Sequence, residues 1–253
     1  MKNYIIRVLS GCKKRQLVYW WIMRALMVYA LIPMLSTDTQ KATQISFNLL
    51  GMFTWELMML MPEKTFFRQI PSRVQDALIP GFFGASFFGA YLDYYYAVGW
   101  WDTFLHLLCG AGLVFIGYEI AVAMQKRDQK TAPEKIVLLC ALGFSFMMSG
   151  LWEIGEFAFD QVFRGDTQHW SYELAVLSGS DKTLFDPLDP TRFALIDTMT
   201  DMVFNAVGAF AFYIPLRFYP YLHRGKHNIN IKIEEAIKSA EADKYDNEVI
   251  ATV

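Results

Sequence analysis

Of 253 residues, 54% are hydrophobic and 16% aromatic, with Phe 21, Met 13 and Trp 7, a composition too apolar for a soluble domain of this length. The formal net charge is −2, and the basic residues are scattered over the loops, which excludes a nucleic-acid binder needing one basic face. Cys12, Cys109 and Cys140 fall in the leader and within apolar runs, so no disulfide framework is expected.

Apolar stretches follow one another at about 17–35, 45–61, 77–97, 102–124, 136–160 and 194–216. Each is near the roughly 20 residues that a helix needs to cross the hydrocarbon core, the second being the shortest. They predict an all-α integral membrane protein, a bundle of about six transmembrane helices. The first stretch has the look of a signal-peptide core but lacks a small-residue cleavage site and runs on too long, so it reads as a retained span. Lys13, Lys14 and Arg15 precede the first stretch; Lys64, Arg68 and Arg73 follow the second; Lys126, Arg127, Lys130 and Lys135 follow the fourth; Arg217 and Arg224 end the sixth. Short cytoplasmic loops retain Lys and Arg, so the N and C termini both read as cytoplasmic.

Two charges interrupt the first two stretches. Arg24 and Glu56 lie toward the same end, and pairing across packed helices lowers the burial cost of both. Glu119, in the fourth stretch, is a competing partner for Arg24. In the third, Gly81, Gly84, Ala85, Gly89 and Ala90 offer a face for close helix packing.

The last three stretches carry the chemistry. Asp102 and His106, then Glu153, Glu156 and Asp160, then Asp197 and Asp201 recur at spacings of one or two helical turns, so each set forms a polar stripe on one helix face. A charged side chain at the bilayer centre costs about 2.5–3.5 kcal/mol on insertion scales, so such residues mark function. Depth counted at a rise of about 1.5 Å per residue puts His106, Glu156 and Asp197 in one layer and Cys109, Glu153 and Asp201 in a deeper one. No Lys or Arg lies in these halves of the stretches, so compensation must come from a bound cation, protonation or a water-filled vestibule, unless Arg164 or Arg192 folds inward.

Carboxylates with one imidazole suit Zn, Fe, Mn or Mg, with zinc and iron first. Asp102, His106, Glu156, Asp197 and Asp201 are the candidate metal ligands and Glu153 the candidate catalytic proton carrier. Structural readings stand beside these. Asp102 and Asp197 suit helix N-terminal caps, and Asp160 suits an interfacial helix end. Cys109 continues the Asp102–His106 stripe either as a small buried hydrophobe or as a further ligand.

Residues 161–193 form a long turn-rich outer loop and a lid candidate, with a short helix at 171–177 and with His169 and Trp170 placed to close over the site. Residues 1–223 therefore read as one transmembrane domain and 224–253 as a polar cytoplasmic tail with an amphipathic helix at 233–242.

The segments WWDTFLHLLCG at 100–110, LWEIGEF at 151–157 and DTMTDM at 197–202 together resemble the YjdF-like bacterial inner-membrane proteins, a family without an assigned role. The resemblance covers roughly 75–215. It implies a multi-pass protein of the bacterial inner membrane whose polar positions are Asp102, His106, Glu153, Glu156, Asp197 and Asp201. The lengthened outer loop and the tail depart from it.

Three functions fit. One is a metal-dependent hydrolase or transferase acting on a lipid or envelope precursor, with the bilayer and that precursor as partners. It would work without a Ser-His-Asp arrangement, an HExxH motif or a basic phosphate clamp. A proton- or cation-coupled transporter would instead extend polar groups through the membrane and show broken helices or repeats. A non-catalytic membrane partner protein would use the acidic pocket for folding or sensing.

Overall fold

Backbone surrounded by lipid must satisfy its own hydrogen bonds, and the apolar stretches do so as helices. The computed structural model describes residues 2–168 and 193–218, and among these there is no strand. A short α1 (Lys2–Ser10) leads into α2 (Lys14–Thr37), then α3 (Thr39–Gly51) and α4 (Thr54–Leu60), and a 3-10 turn at Phe66–Gln69. Next, α5 (Arg73–Phe83) runs on into a π-helical segment (Gly84–Tyr91) and a single turn, α6 (Tyr94–Ala97). The long helices α7 (Trp101–Asp128), α8 (Glu134–Phe163) and α9 (Phe193–Phe218) complete the described chain.

Among the described residues α2, α7, α8 and α9 are long and apolar enough to cross a membrane. At 24 to 30 residues they extend about 36–45 Å, more than the roughly 30 Å hydrocarbon core. Their outward faces are apolar as well. On α9, Leu195, Met199, Val203, Val207, Phe210 and Ile214 are exposed, while Asp197, Asp201, Asn205 and Gly208 on the other side are buried. A helix with its polar stripe inward and its apolar stripe outward is built for lipid rather than water.

The second and third apolar stretches are not single α-helices. The 45–61 stretch breaks at Met52 and Phe53, whose ψ angles of −2° and 15° leave helical geometry. Side chains from neighbouring helices meet two of the freed backbone groups. The Met52 carbonyl accepts from Arg24 Nε at 3.1 Å and also from Gln75 Nε2, while the Trp55 N–H donates to Gln75 Oε1 at 2.9 Å. Arg24 also makes the expected pair with Glu56, in a fork of 2.7 and 2.8 Å, with its guanidinium 4.0 Å over the Phe53 ring. Glu119 does not compete for Arg24. It accepts from Arg73 Nη2 at 2.8 Å, because α5 packs beside α7 rather than α2 doing so at that level.

Helix α7 is the axis of the arrangement, with α5 and its π segment on one side and α8 and α9 on the other. The small residues of the third stretch pack as expected: Gly81 faces Cys109, and Gly84 faces Leu105 and Trp101. The tightest contact is elsewhere. A Cβ on Gly110 would run into the Asn205 carbonyl, and one on Gly208 into the Leu107 carbonyl, so α7 and α9 meet backbone to backbone; His106 beside Asp201 and Phe115 beside Phe212 show that they run parallel. Helix α8 is antiparallel to both, with Gly117 against Phe144 and Ala141. Val114, Tyr118, Leu138, Ala141 and Ala209 form an apolar core among these three helices at the end away from the acidic residues.

The expected outer loop begins later than residue 161, because α8 runs to Phe163; the rest of the lid candidate from His169 through Arg192, with Trp170 and the 171–177 helix, and the tail with the 233–242 helix lie outside the described residues.

Candidate acidic and histidine site

The site begins where α7 begins. Trp100, Trp101 and Phe104 stack around its first turn together with Tyr94 and Phe88, an aromatic cluster of the kind found at a membrane–water interface. Asp102 is in that first turn, and His106 lies one turn further along the same face. His106 Nε2 is 3.7 Å from Asp102 Oδ1 and 3.7 Å from Asp201 Oδ2, which α9 supplies. The backbone contact of Gly110 with Asn205, one turn further in, fixes this register.

That register corrects the expected layers by one turn. Counting from the ends of the stretches puts His106 level with Asp197, yet Asp201 is the residue that reaches it. Helix ends read from hydropathy do not give the relative heights of packed helices; the Gly110–Asn205 and Gly208–Leu107 contacts do.

Ligand atoms of Asp102, His106 and Asp201 all lie within 4.8 Å of one another. At 3.7 Å the histidine and carboxylates are beyond hydrogen-bonding distance. Donors sharing one ion at about 2.0–2.1 Å stand roughly 3–3.5 Å apart, so the two histidine contacts are a few tenths of an ångström too long and the three ligand atoms, within 4.8 Å of one another, would have to draw together to close on a cation. His106 and Asp201 are buried, Asp102 half-buried, and Asp201 Oδ2 makes no hydrogen bond among the described residues. The donor set and the unsatisfied oxygen fit a divalent ion. Three protein ligands would leave a position for water or substrate.

The other expected site residues surround this triad. Glu156, on α8, faces the same cavity as Asp102 and His106, with Oε1 accepting from Trp152 Nε1 at 2.8 Å. Glu153 is buried on α8 within electrostatic reach of Asp197 and Asp102; neither of its oxygens makes a hydrogen bond of ordinary geometry, and Thr198 is its polar neighbour. Asp197 is buried on α9 one turn before Asp201. No Lys or Arg among the described residues forms an ion pair with Asp201, Glu153 or Glu156. Arg164 does not fold inward: it is exposed, in left-handed backbone, just past the end of α8.

Asp160 has a different task. It accepts from the Thr167 N–H at 2.8 Å, the Thr167 hydroxyl at 2.7 Å and the Gln168 N–H at 3.0 Å, tying the chain that leaves α8 back onto its last turn. Cys109 lines the cavity against Gly81 and stands outside the Asp102–His106–Asp201 group.

Three participants were missed in the sequence. Asn205 is buried and Ser145 donates to both its Oδ1 (3.3 Å) and the Gly110 carbonyl (3.0 Å), a polar floor beneath the triad. Asn205 continues the Asp197–Asp201 stripe by one more turn, which was the available signal. Tyr95, hidden in an aromatic run, also lines the cavity.

The model of the predicted membrane protein family DUF2238 matches residues 16–220. An uncharacterized protein of Thermotoga maritima is 26% identical over 149 residues, a match covering 58% of this chain and 64% of that protein, so the chain spans somewhat under two thirds of its relative's length. No solved structure matches. All three motif-bearing helices fall inside the matched region, and the chain belongs to the predicted membrane protein family DUF2238.

Proposed function

We propose that the Asp102–His106–Asp201 group is the cation centre of a membrane-embedded hydrolase or transferase whose substrate is a lipid or envelope precursor. The observation that carries this reading is the convergence of three potential ligand atoms from α7 and α9 within 4.8 Å, one of them a buried carboxylate oxygen without a hydrogen bond. Glu156 and Asp197 complete the acidic surround, and Asp102, His106 and Asp201 would hold the ion. Bound there, a divalent ion such as Zn, Fe, Mn or Mg would polarise a phosphoryl or ester oxygen or acidify a water. Glu153 Oε1 and Oε2, buried and unspent, take and return the proton. The surrounding apolar helices exclude bulk water, which strengthens each electrostatic contact. Six crossings with both termini cytoplasmic, in the bacterial inner membrane as for the YjdF-like proteins, give the site an extracytoplasmic address.

A second reading is favoured by the broken α3–α4 helix, a feature of transporters. In that reading His106, held between two carboxylates, carries a proton or yields to a cation. The break is closed by Arg24 and Gln75, which bond the Met52 carbonyl and the Trp55 N–H, so the enzyme reading is preferred.

Elemental mass spectrometry on protein purified without added metal tests the proposal, beside Glu156→Ala and Asp201→Ala. About one ion per chain, absent from folded Asp201→Ala, is the expected result. A metal-free wild type, even after supplementation, sinks the metalloenzyme and leaves proton coupling.

A further inference from the structure

A cavity of about 220 Å³ starts at the acidic residues and continues away from them along α7. This exceeds the roughly 150 Å³ apolar cavity that takes up benzene. Its floor is α7 and its walls come from α5 on one side and α8 on the other. The chemistry of the lining changes along its length. Asp102, His106 and Glu156 stand at one end, and Ala77, Leu113 and Ile116 at the other. From Asp102 to Ile116 is fourteen residues of continuous helix, or about 21 Å. One leaflet of a roughly 30 Å hydrocarbon core accounts for about 15 Å of acyl chain, so the groove is long enough for such a chain lying along α7 and partly open to the bilayer.

Open space along the groove and its exposure to the bilayer favour an alkyl chain. The middle of the cavity is kept open by glycine: at Gly112 a Cβ would meet nothing nearer than the Ala77 carbonyl at 3.9 Å. Ser149, buried on the α8 wall, has a hydroxyl with no hydrogen-bond partner among the described residues, a donor for the polar linkage of an amphiphile and not for its chain. Trp152 of α8 lines the cavity and is at the same time exposed, so the groove opens toward lipid there.

We infer that the α5–α7–α8 groove holds the single long alkyl chain of a membrane amphiphile, with the amphiphile's polar head delivered to Asp102, His106 and Glu156. This identifies the substrate class of the proposed centre and rests on that reading for its chemistry. The alkyl chain itself is bound by the groove alone. Recognition is then divided: the groove selects for one long chain, and the acidic end for a head that reaches the ligand atoms.

The full chain, reconstituted in nanodiscs of phosphatidylethanolamine and phosphatidylglycerol, is irradiated with a lysophosphatidylethanolamine carrying a diazirine near the end of its chain, and adducts are mapped by peptide mass spectrometry. Adducts are expected on α5 around Ala77 and on α7 between Cys109 and Ile116. They should be lost in Gly112→Leu, which fills the groove from its floor, while that variant's metal content stays at the wild-type value. Ala77→Leu fills it from the opposite wall and replaces Gly112→Leu if the latter fails to assemble. Asp201→Asn should keep the adducts and lose the ion. Adducts spread over outward residues such as Leu139 and Val207 as strongly as over the groove, or unchanged in both filled variants, overturn the inference. Groove adducts in a protein that binds no metal remove the cation centre alone, and a metal-loaded protein without groove adducts removes the lipid groove alone.

Discussion

Gly208 of α9 lies directly on the Leu107 carbonyl of α7, close enough that any side-chain carbon would strike it. One turn earlier on α9, Asn205 makes the equivalent contact with Gly110. These two glycines let parallel helices touch through their backbones, and the resulting register sets His106 against Asp201.

Gly110→Ala and Gly208→Ala should therefore each destabilise the protein by more than the about 1–3 kcal/mol typical of overpacking, since the obstacle is backbone that cannot rotate away. The same change at Gly143 meets nothing within 4 Å and should be neutral or stabilising by up to about 1 kcal/mol, as for glycine in a helix interior. Detergent-solubilised melting curves by tryptophan fluorescence separate the three. Gly208→Ala melting with the wild type would mean that the α7–α9 contact is looser than described.

Arg24 and Glu56 were readable as a pair from sequence, and their fork is in place. What the sequence did not offer was the reason for Arg24: it also closes the broken backbone at Met52 together with Gln75. Removing one charge of a buried pair costs about 3–5 kcal/mol, and Arg24→Met also strips a donor from the Met52 carbonyl. Arg24→Met should therefore be worse than Glu56→Gln, and Arg24→Lys should not rescue it, because lysine lacks the fork. Equal melting losses for Arg24→Met and Glu56→Gln would show that the Met52 contact contributes nothing.

How far the fold and site could be read ahead follows from these cases. Periodicity exposes a stripe within one helix, so Asp102–His106 and Asp197–Asp201 were legible. Relative height depends on where two helices touch, and Gly110 and Gly208 look like ordinary membrane glycines until they are packed. The break at Met52 was hidden for a different reason. No proline within the stretch marks it, and the groups that make the break tolerable lie 28 and 23 residues away. Asp160 reads from sequence as an interfacial helix end, and its partners Thr167 and Gln168 could not be assigned from spacing.

Asp160 collects three hydrogen bonds from the first residues beyond α8. Hydrogen bonds to a charged group contribute about 1.5–3 kcal/mol each, so Asp160→Asn should loosen residues 164–168 while leaving metal content near the wild-type value. Hydrogen exchange by mass spectrometry over this segment reads the first effect and elemental analysis the second. Loss of the ion in Asp160→Asn would return Asp160 to the cation site.

A bound ion must also stabilise the fold if it is held by α7 and α9 together, since ligands from two helices close only in the native state. A ligand present at 100 times its dissociation constant adds about 2.7 kcal/mol. Chelation should accordingly lower the melting temperature of the wild type. It should not move Asp201→Asn or His106→Ala, which have already lost the bridge between the helices. If those variants respond to chelator as the wild type does, the ion is held elsewhere. If none responds while His106→Ala alone is destabilised, the 3.7 Å contacts of His106 act as a protonated ion pair, and the site belongs to proton chemistry.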